Sequence, residues 1–187
     1  GDELRVHGPL GNGYPAPSNP GGRLYLVAGG MGIASLAACL FPAKENSFDS
    51  ADICLLYGAA AASQLVLLDE LRALAGGRLR LETITDDGSS GRGGLVTGLL
   101  AEELRQYPES RVFACGPEAM LRAVASILKD TGVPGFLSLE KRMACGFGVC
   151  LGCVQKVFAD SASAMPVYRK VCTQGPVFPA MEVDFNG

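Results

Sequence analysis

The chain has 187 residues, enough for one medium domain plus a small one, or for a single larger domain. Hydrophobic residues make up 48% and charged residues 19%, a balance that supports a buried core and excludes a disordered chain. The net charge of −3 offers no general attraction for nucleic acid or an anionic membrane, so neither is expected as a partner.

Residues 1–22 are rich in Gly and Pro and read as a tail or linker. The first residue is Gly rather than Met, which suggests a fragment or a processed product. Residues 24–41 carry no charge and are just long enough to be flagged as a membrane span. Gly29, Gly30 and Gly32 interrupt that run, and the pattern changes across them from strand-like to helix-like. A buried strand over 23–28, a glycine turn and a helix to about residue 40 explain it better. A second strand is expected over 52–57, ended by Gly58. A helix over 63–75 follows, with Ser63 as cap and Leu67, Leu68, Leu71 and Leu74 on one face, stopped by Gly76-Gly77. Strands are expected at 80–85, 111–114 and 135–139, and helices at about 96–105 and 117–129, the last opened by Pro117. The short, near-continuous apolar strands imply an α/β fold: a five-stranded parallel sheet with helices on both faces. Ligands of such sheets bind beyond the carboxyl ends of the strands. The loops at Gly29, Gly58, Asp86 and Cys115 each follow a strand and should share that edge.

After Leu139 the rhythm changes. Residues 140–187 show no clear helix, a hairpin of 154–158 with 167–171, and a final apolar stretch over 177–183. The expected division is therefore a tail over 1–22, a nucleotide-binding domain over 23–139 and a small β-rich domain over 140–187. A core that small calls for a metal staple.

Seven cysteines are too unevenly spread for a disulfide framework. Cys39, Cys54 and Cys115 sit in apolar segments as small hydrophobes. Cys145, Cys150, Cys153 and Cys172 follow a C-x4-C-x2-C…C pattern, the plant-type ferredoxin spacing for a [2Fe–2S] cluster. Each iron takes two thiolates, and Gly146, Gly148 and Gly152 let the loop bend and aim N–H groups at sulfur. Structural zinc favours two separated C-x2-C knuckles, and only one is present. Phe147, Val149 and Leu151 either shield the cluster or form a docking surface for a redox partner. A clustered metal site of this kind suits a cytoplasmic protein.

Gly30-x-Gly32-x-x-Ser35 between strand and helix has the form of a dinucleotide fingerprint with Ser in the third position. No basic residue follows the second strand in Gly58-Ala59-Ala60-Ala61-Ala62, and Asp86 and Asp87 follow the third. Both features favour NADH over NADPH. Gly116 permits close approach of a planar ring, with Cys115 beside it as a contact residue. Cys115 is not expected to be a nucleophile, because the one histidine, His7, lies in the tail. The expected nucleotide contacts are Gly29, Gly30, Met31, Gly32, Gly58, Asp86, Asp87, Cys115, Gly116 and Pro117.

Val27-Ala-Gly-Gly-Met-Gly-Ile-Ala-Ser35, Thr85-Asp-Asp-Gly-Ser89 and Ala114-Cys-Gly-Pro117 resemble the nucleotide-binding half of ferredoxin–NADP reductases. Gly8-Pro-Leu-Gly-Asn-Gly-Tyr14 resembles the loop closing their flavin barrel. With Glu140-Lys-Arg-Met-Ala-Cys-Gly-Phe-Gly-Val-Cys150 and Val171-Cys-Thr-Gln-Gly-Pro-Val-Phe178, nearly the whole chain resembles the electron transfer subunit of type B dihydroorotate dehydrogenase. That resemblance implies an oxidoreductase subunit of pyrimidine biosynthesis. It implies electrons exchanged between NADH, FAD, a [2Fe–2S] cluster and the FMN of a partner catalytic subunit, in a hetero-oligomer. Ser35 stands where the family often has Pro, and Ala60 where relatives often have Arg, which argues against NADP. The flavin barrel would lie upstream of Gly1, so this piece alone is expected not to oxidise NADH efficiently. Two alternatives keep other outcomes open: an NADH-linked subunit of a hydrogenase or ferredoxin oxidoreductase, and a non-catalytic module stabilised by zinc.

Overall fold

The computed structural model describes residues 1–16, 22–40, 52–74, 79–159 and 165–186. Strand β1 (Arg23–Gly29) is buried over all but its first residue and leads through a 3-10 turn into the short helix α1 (Ile33–Ala37). Hydrogen-bonded turns carry the chain on to Leu40, so the expected helix is shorter than its apolar run. Strand β2 (Asp52–Ala59) follows, and then α2 (Leu68–Leu74). The helix expected from residue 63 is broken. Ala62–Gln64 is a 3-10 turn without a side-chain cap, and Leu67 takes φ 57°, outside any right-handed helix. Leu71 is fully buried, whereas Leu67 is partly exposed. The expected stop at Gly76-Gly77 lies outside the described residues.

Strand β3 (Leu79–Thr85) is followed by the two-residue strand β4 (Arg92–Gly93) and helix α3 (Val96–Gln106). Strand β5 (Ser110–Cys115) leads into α4 (Glu118–Thr131). Pro117 occupies the position before its first turn, and Gly132 closes it at φ 73°. Strand β6 (Gly135–Ser138) ends the α/β part. Beyond it lie β7 (Val154–Phe158), β8 (Pro166–Lys170), the single turn α5 (Val171–Gln174) and β9 (Val177–Pro179).

Among the described residues one sheet has seven strands in the order β4-β3-β2-β1-β5-β6-β9, parallel except for the β6–β9 pair. The five expected strands are its five consecutive inner members. The two additional ones escape sequence patterning for different reasons. β4 is two residues in a Gly/Ser-rich loop, joined only through Ile84↔Arg92 and Thr85↔Gly93. β9 belongs to the C-terminal apolar stretch and closes the outer edge of β6. The expected hairpin forms as a separate two-stranded sheet, shifted by one residue, with Val154 opposite Lys170. Val171 instead starts α5, a helical turn in a segment where none was expected.

Side chains alternate across the sheet and build two cores. Tyr25, Val27, Cys54 and Leu56 pack under α3 and α4, together with Cys153, Val157, Val171, Cys172 and Phe178 of the C-terminal segment. Leu24, Leu26, Leu55 and Tyr57 pack under α1 and α2 on the other face. Helices thus cover both faces of the sheet, as expected. The C-terminal segment adds its apolar residues to the first core rather than forming one of its own. The tail is also docked. Asn12 pairs with Val177 through both its side-chain oxygen and nitrogen, at 2.9 and 2.8 Å. Tyr14 stacks on Phe113 at 4.8 Å, and its hydroxyl donates to the Ala114 carbonyl. Among the described residues no helix is long and apolar enough to cross a membrane.

Gly32 is tightly enclosed, and a Cβ there would lie 2.1 Å from the Cys115 carbonyl oxygen. Gly32→Ala is expected to destabilise the fold by about 2 kcal/mol, in the range for overpacking a filled site. Gly98, on the exposed side of α3, has nothing within 4 Å of its Cβ position. Gly98→Ala is expected to stabilise by about 0.8 kcal/mol through helix propensity. Urea unfolding followed by far-UV circular dichroism measures both.

Candidate functional site

The carboxyl ends of β1, β2, β3 and β5 lie along one edge of the sheet. The chain leaves β1 toward β2 on one side and later places β5 on the other, which makes this edge a topological switch point. A cleft of about 430 Å³ opens there, walled by the strand ends and the first turns of α3 and α4. Of the expected nucleotide contacts, Gly29, Gly30, Gly58, Asp86 and Pro117 line it. None of the lining residues is basic.

The other expected contacts are placed differently. Gly32 and Cys115 are buried against each other beneath the cleft. Gly116 lines a smaller neighbouring cavity of about 130 Å³ with Glu140 and Gln155. The Met31 side chain is 68% exposed and does not line the cleft. Asp87 does not line it either. Its carboxylate accepts from the Ser89 hydroxyl at 2.6 Å and the Ser89 backbone N–H at 2.9 Å, which hold it below the ordinary carboxylate range.

Sequence reasoning missed Gln64, Leu95, Thr97 and Met120 as lining residues. Their signal was positional: each sits in or beside the first turn of a helical segment that returns from the binding edge. Met120 also explains why β1 ends in glycine, since a Cβ on Gly29 would meet its sulfur at 2.6 Å. The walls are apolar apart from Asp86, Gln64 and Thr97, a composition suited to planar rings with a few hydrogen-bonding groups.

Burial separates three of the seven cysteines from the thiols of the C-terminal loop. Burial pushes the Cys39 thiol up to about 11 and the Cys54 thiol up to about 12, and raises Cys115 as well. These three hold their protons at neutral pH. Cys145 is the opposite case. The backbone N–H groups of Cys150, Phe147 and Val149 point at its sulfur and bring it down to about 6, with the Cys150 N–H at 3.4 Å. Gly146 (φ 74°) and Gly148 (φ 85°) turn the loop that delivers those donors. Gly152 is not in that left-handed region. Cys153 and Cys172 are buried side by side. The Cys172 backbone N–H lowers Cys153, and the neighbouring Cys153 sulfur raises Cys172.

The four thiols therefore meet as two pairs, Cys145 with Cys150 and Cys153 with Cys172. Among the described residues no three His, Cys, Asp or Glu side chains gather in a way that could hold a single metal ion. Two thiol pairs, each served by backbone N–H donors, fit a binuclear cluster in which each iron takes two thiolates. Phe147, Val149 and Leu151 surround the loop with their side chains mostly exposed, and the His7 ring meets Phe147 edge-on at 5.7 Å.

Residues 140–184 match the family described as the iron–sulfur cluster binding domain of dihydroorotate dehydrogenase B, and residues 26–126 match the oxidoreductase NAD-binding domain. The dihydroorotate dehydrogenase B (NAD(+)) electron transfer subunit of Caldanaerobacter subterraneus is 37% identical over 185 residues, covering 99% of this chain and 68% of the relative. The chain belongs to this family. The Bacillus caldolyticus member is 38% identical over 184 residues, covering 98% of this chain and 66% of its own length. The chain thus spans about two thirds of the length of the curated relatives it matches. The solved structure of an NADH-dependent reduced ferredoxin–NADP oxidoreductase superposes with a TM-score of 0.75 at 31% identity, over 98% of this chain and 60% of that one. A ferredoxin–NADP+ reductase from Neisseria gonorrhoeae superposes with a TM-score of 0.51 at 25% identity, over 60% of this chain and 50% of that one. Membership of the family brings an iron–sulfur cluster to the C-terminal segment and NAD to the α/β segment.

Replacing Cys145, Cys150, Cys153 or Cys172 by Ser is expected to cut bound iron to less than half that of the parent and to remove the visible absorption of the anaerobically purified protein. Cys39→Ser and Cys54→Ser are expected to keep about two irons per chain. Iron analysis with an absorption spectrum checks both.

Proposed function

We propose that this chain supplies the nucleotide-binding and cluster-binding parts of an electron transfer subunit. That subunit passes electrons between NADH and the FMN-containing catalytic subunit of dihydroorotate dehydrogenase, in pyrimidine biosynthesis. The observation that carries this reading is the union of two sites on one core. The cleft walls and the Cys153–Cys172 pair are built on the same packed residues under α3 and α4. When bound, FAD supplies a hydride acceptor that can be emptied one electron at a time, and the [2Fe–2S] cluster supplies a one-electron relay.

The residues have separable tasks in this reading. Gly29, Gly30 and Gly58 let a dinucleotide lie close against the strand ends. Asp86 accepts hydrogen bonds from ribose hydroxyls and repels a 2′-phosphate, which selects NADH. Pro117 and Met120 give the apolar wall for a planar ring. Cys115, held protonated by burial and bonded to the Ser35 and Ser138 hydroxyls, shapes the floor and is no nucleophile. Cys145, Cys150, Cys153 and Cys172 are the proposed cluster ligands. The tail over 1–22, the nucleotide-binding part over 23–139 and the cluster part over 140–187 are the proposed divisions. A reducing, cytoplasmic setting suits four proposed cluster ligands and three buried thiols, none of them in a disulfide.

A second reading keeps the chemistry and changes the partner. The 31% identity to an NADH-dependent ferredoxin–NADP oxidoreductase favours a ferredoxin-linked complex as that alternative. Purification of the full-length protein with its bound partner separates the two. An FMN-containing dihydroorotate dehydrogenase is expected, and a ferredoxin-reducing partner would favour the second reading. A colourless protein holding stoichiometric zinc would reject both. Gly30 has φ 52° and open space around its Cβ position. In the full-length protein Gly30→Val is expected to raise the KM for NADH at least tenfold, because a β-branched residue resists the left-handed φ and displaces the turn while its methyls enter the cleft.

A further inference from the structure

The cleft wall formed by residues 59–64 is tied at its ends, by the buried Ala59 and by the Tyr57 hydroxyl, which donates to the Gln64 carbonyl at 3.4 Å, and has few holds between them. It contributes Ala59, Ala60 and Gln64 to the lining, yet Ala60 to Ala62 offer only methyl groups, and Ala60 and Gln64 are exposed. Backbone hydrogen bonds to the loop after β3 hold its first two residues. The Asp86 and Asp87 N–H groups donate to the Ala59 and Ala60 carbonyls at 3.0 and 3.2 Å, just past the last β2–β3 pair, Ala59↔Thr85. Past Ala60 the chain turns away, and only a side chain reaches across. The Ala62 N–H donates to the Ser89 hydroxyl oxygen at 2.8 Å. That N–H is the first unpaired donor of the 3-10 turn Ala62–Gln64, which has no cap of its own. Ser89 thus caps the turn from another loop.

Ser89 is itself oriented. Its hydroxyl donates to Asp87 Oδ1 at 2.6 Å, and its backbone N–H donates to the same oxygen at 2.9 Å. With its hydrogen committed to the carboxylate, the hydroxyl presents a lone pair to Ala62. The Asp87 carboxylate, though beside the cleft, is turned to this task and is not part of the lining.

We propose that Ser89, oriented by Asp87, is a positioning residue that fixes the Ala59–Gln64 wall of the cleft and so sets the affinity for NADH. The inference rests on the reading of the cleft as the NADH site. Its signature is a change in KM without a change in kcat, because neither side chain reaches the reacting end of the cleft, where Pro117 and Met120 lie.

The test is steady-state kinetics of the full-length protein with NADH and an artificial electron acceptor, for the parent, Ser89→Ala, Ser89→Thr and Asp87→Ala. Ser89→Ala is expected to raise the KM for NADH about fivefold, the scale of one net hydrogen bond. Its kcat and visible spectrum should stay at the parent values. Ser89→Thr keeps the hydroxyl and places its methyl in solvent, so it should restore the parent KM. Asp87→Ala should shift KM in the same direction as Ser89→Ala. A Ser89→Ala KM within twofold of the parent, or a Ser89→Thr KM no better than that of Ser89→Ala, overturns the clasp while leaving the cleft assignment intact. A parent protein that shows no saturation with NADH overturns the cleft assignment and the clasp with it.

Discussion

Backbone meets backbone at the carboxyl ends of β1 and β5, and the rest of the molecule is arranged around that meeting. Gly32 lies so close to the Cys115 carbonyl that no side chain fits between them, and a Cβ on Gly116 would sit 3.0 Å from the Gly29 Cα. This closeness brings the start of α1 and the start of α4 to the same point on the sheet edge. It leaves the cleft bounded by strand ends below and by the first turns of α3 and α4 at the side. The strand-end floor of the cleft is therefore main chain and small side chains, while Leu95, Pro117 and Met120 stand at its sides. Parallel strands have their carboxyl ends together by construction, so a site of this kind follows from the topology once glycine permits the approach.

The cluster end depends on the same core. Cys153 and Cys172 are buried because Val157, Val171 and Phe178 pack with α4 and the outer strands, and β9 pairs with β6. A segment of this size has too little apolar surface to fold on a core of its own, and here it borrows one. Asn12 and Tyr14 add a further tie, joining the tail to Val177 on one side and to β5 on the other. The two proposed sites are therefore mechanically connected, and an electron relay between them needs a fixed separation more than it needs flexibility.

Local electrostatics divides the cysteines in a way that composition does not. The same thiol is held protonated by burial at Cys39, Cys54 and Cys115 and drawn toward thiolate by converging N–H groups at Cys145. Metal affinity follows the thiolate, so at Cys145 backbone direction does much to prepare the sulfur for a ligand.

Much of this was legible in the residues. Unbroken apolar runs such as Leu24–Ala28 identify strands buried on both faces. The glycines after β1 point to the cleft edge, and the Cys145–Cys153 spacing with Cys172 points to the proposed cluster ligands, because each depends on local geometry that few residue types satisfy. Other features depend on distant partners and left no local trace. Two backbone pairs make β4 a strand, and the open edge of β6 recruits β9. The turn at Ala62–Gln64 interrupts a run that is apolar enough for a helix. Asp87 and Asp86 are adjacent and chemically alike, yet only Asp86 lines the cleft, since the Ser89 hydroxyl holds its neighbour. The sequence by itself determined which residues can approach a nucleotide or bind iron, because that is a matter of side-chain size and chemistry. Only the tertiary structure decided which of them face the cleft, because that depends on which hydrogen-bond partner stands nearest.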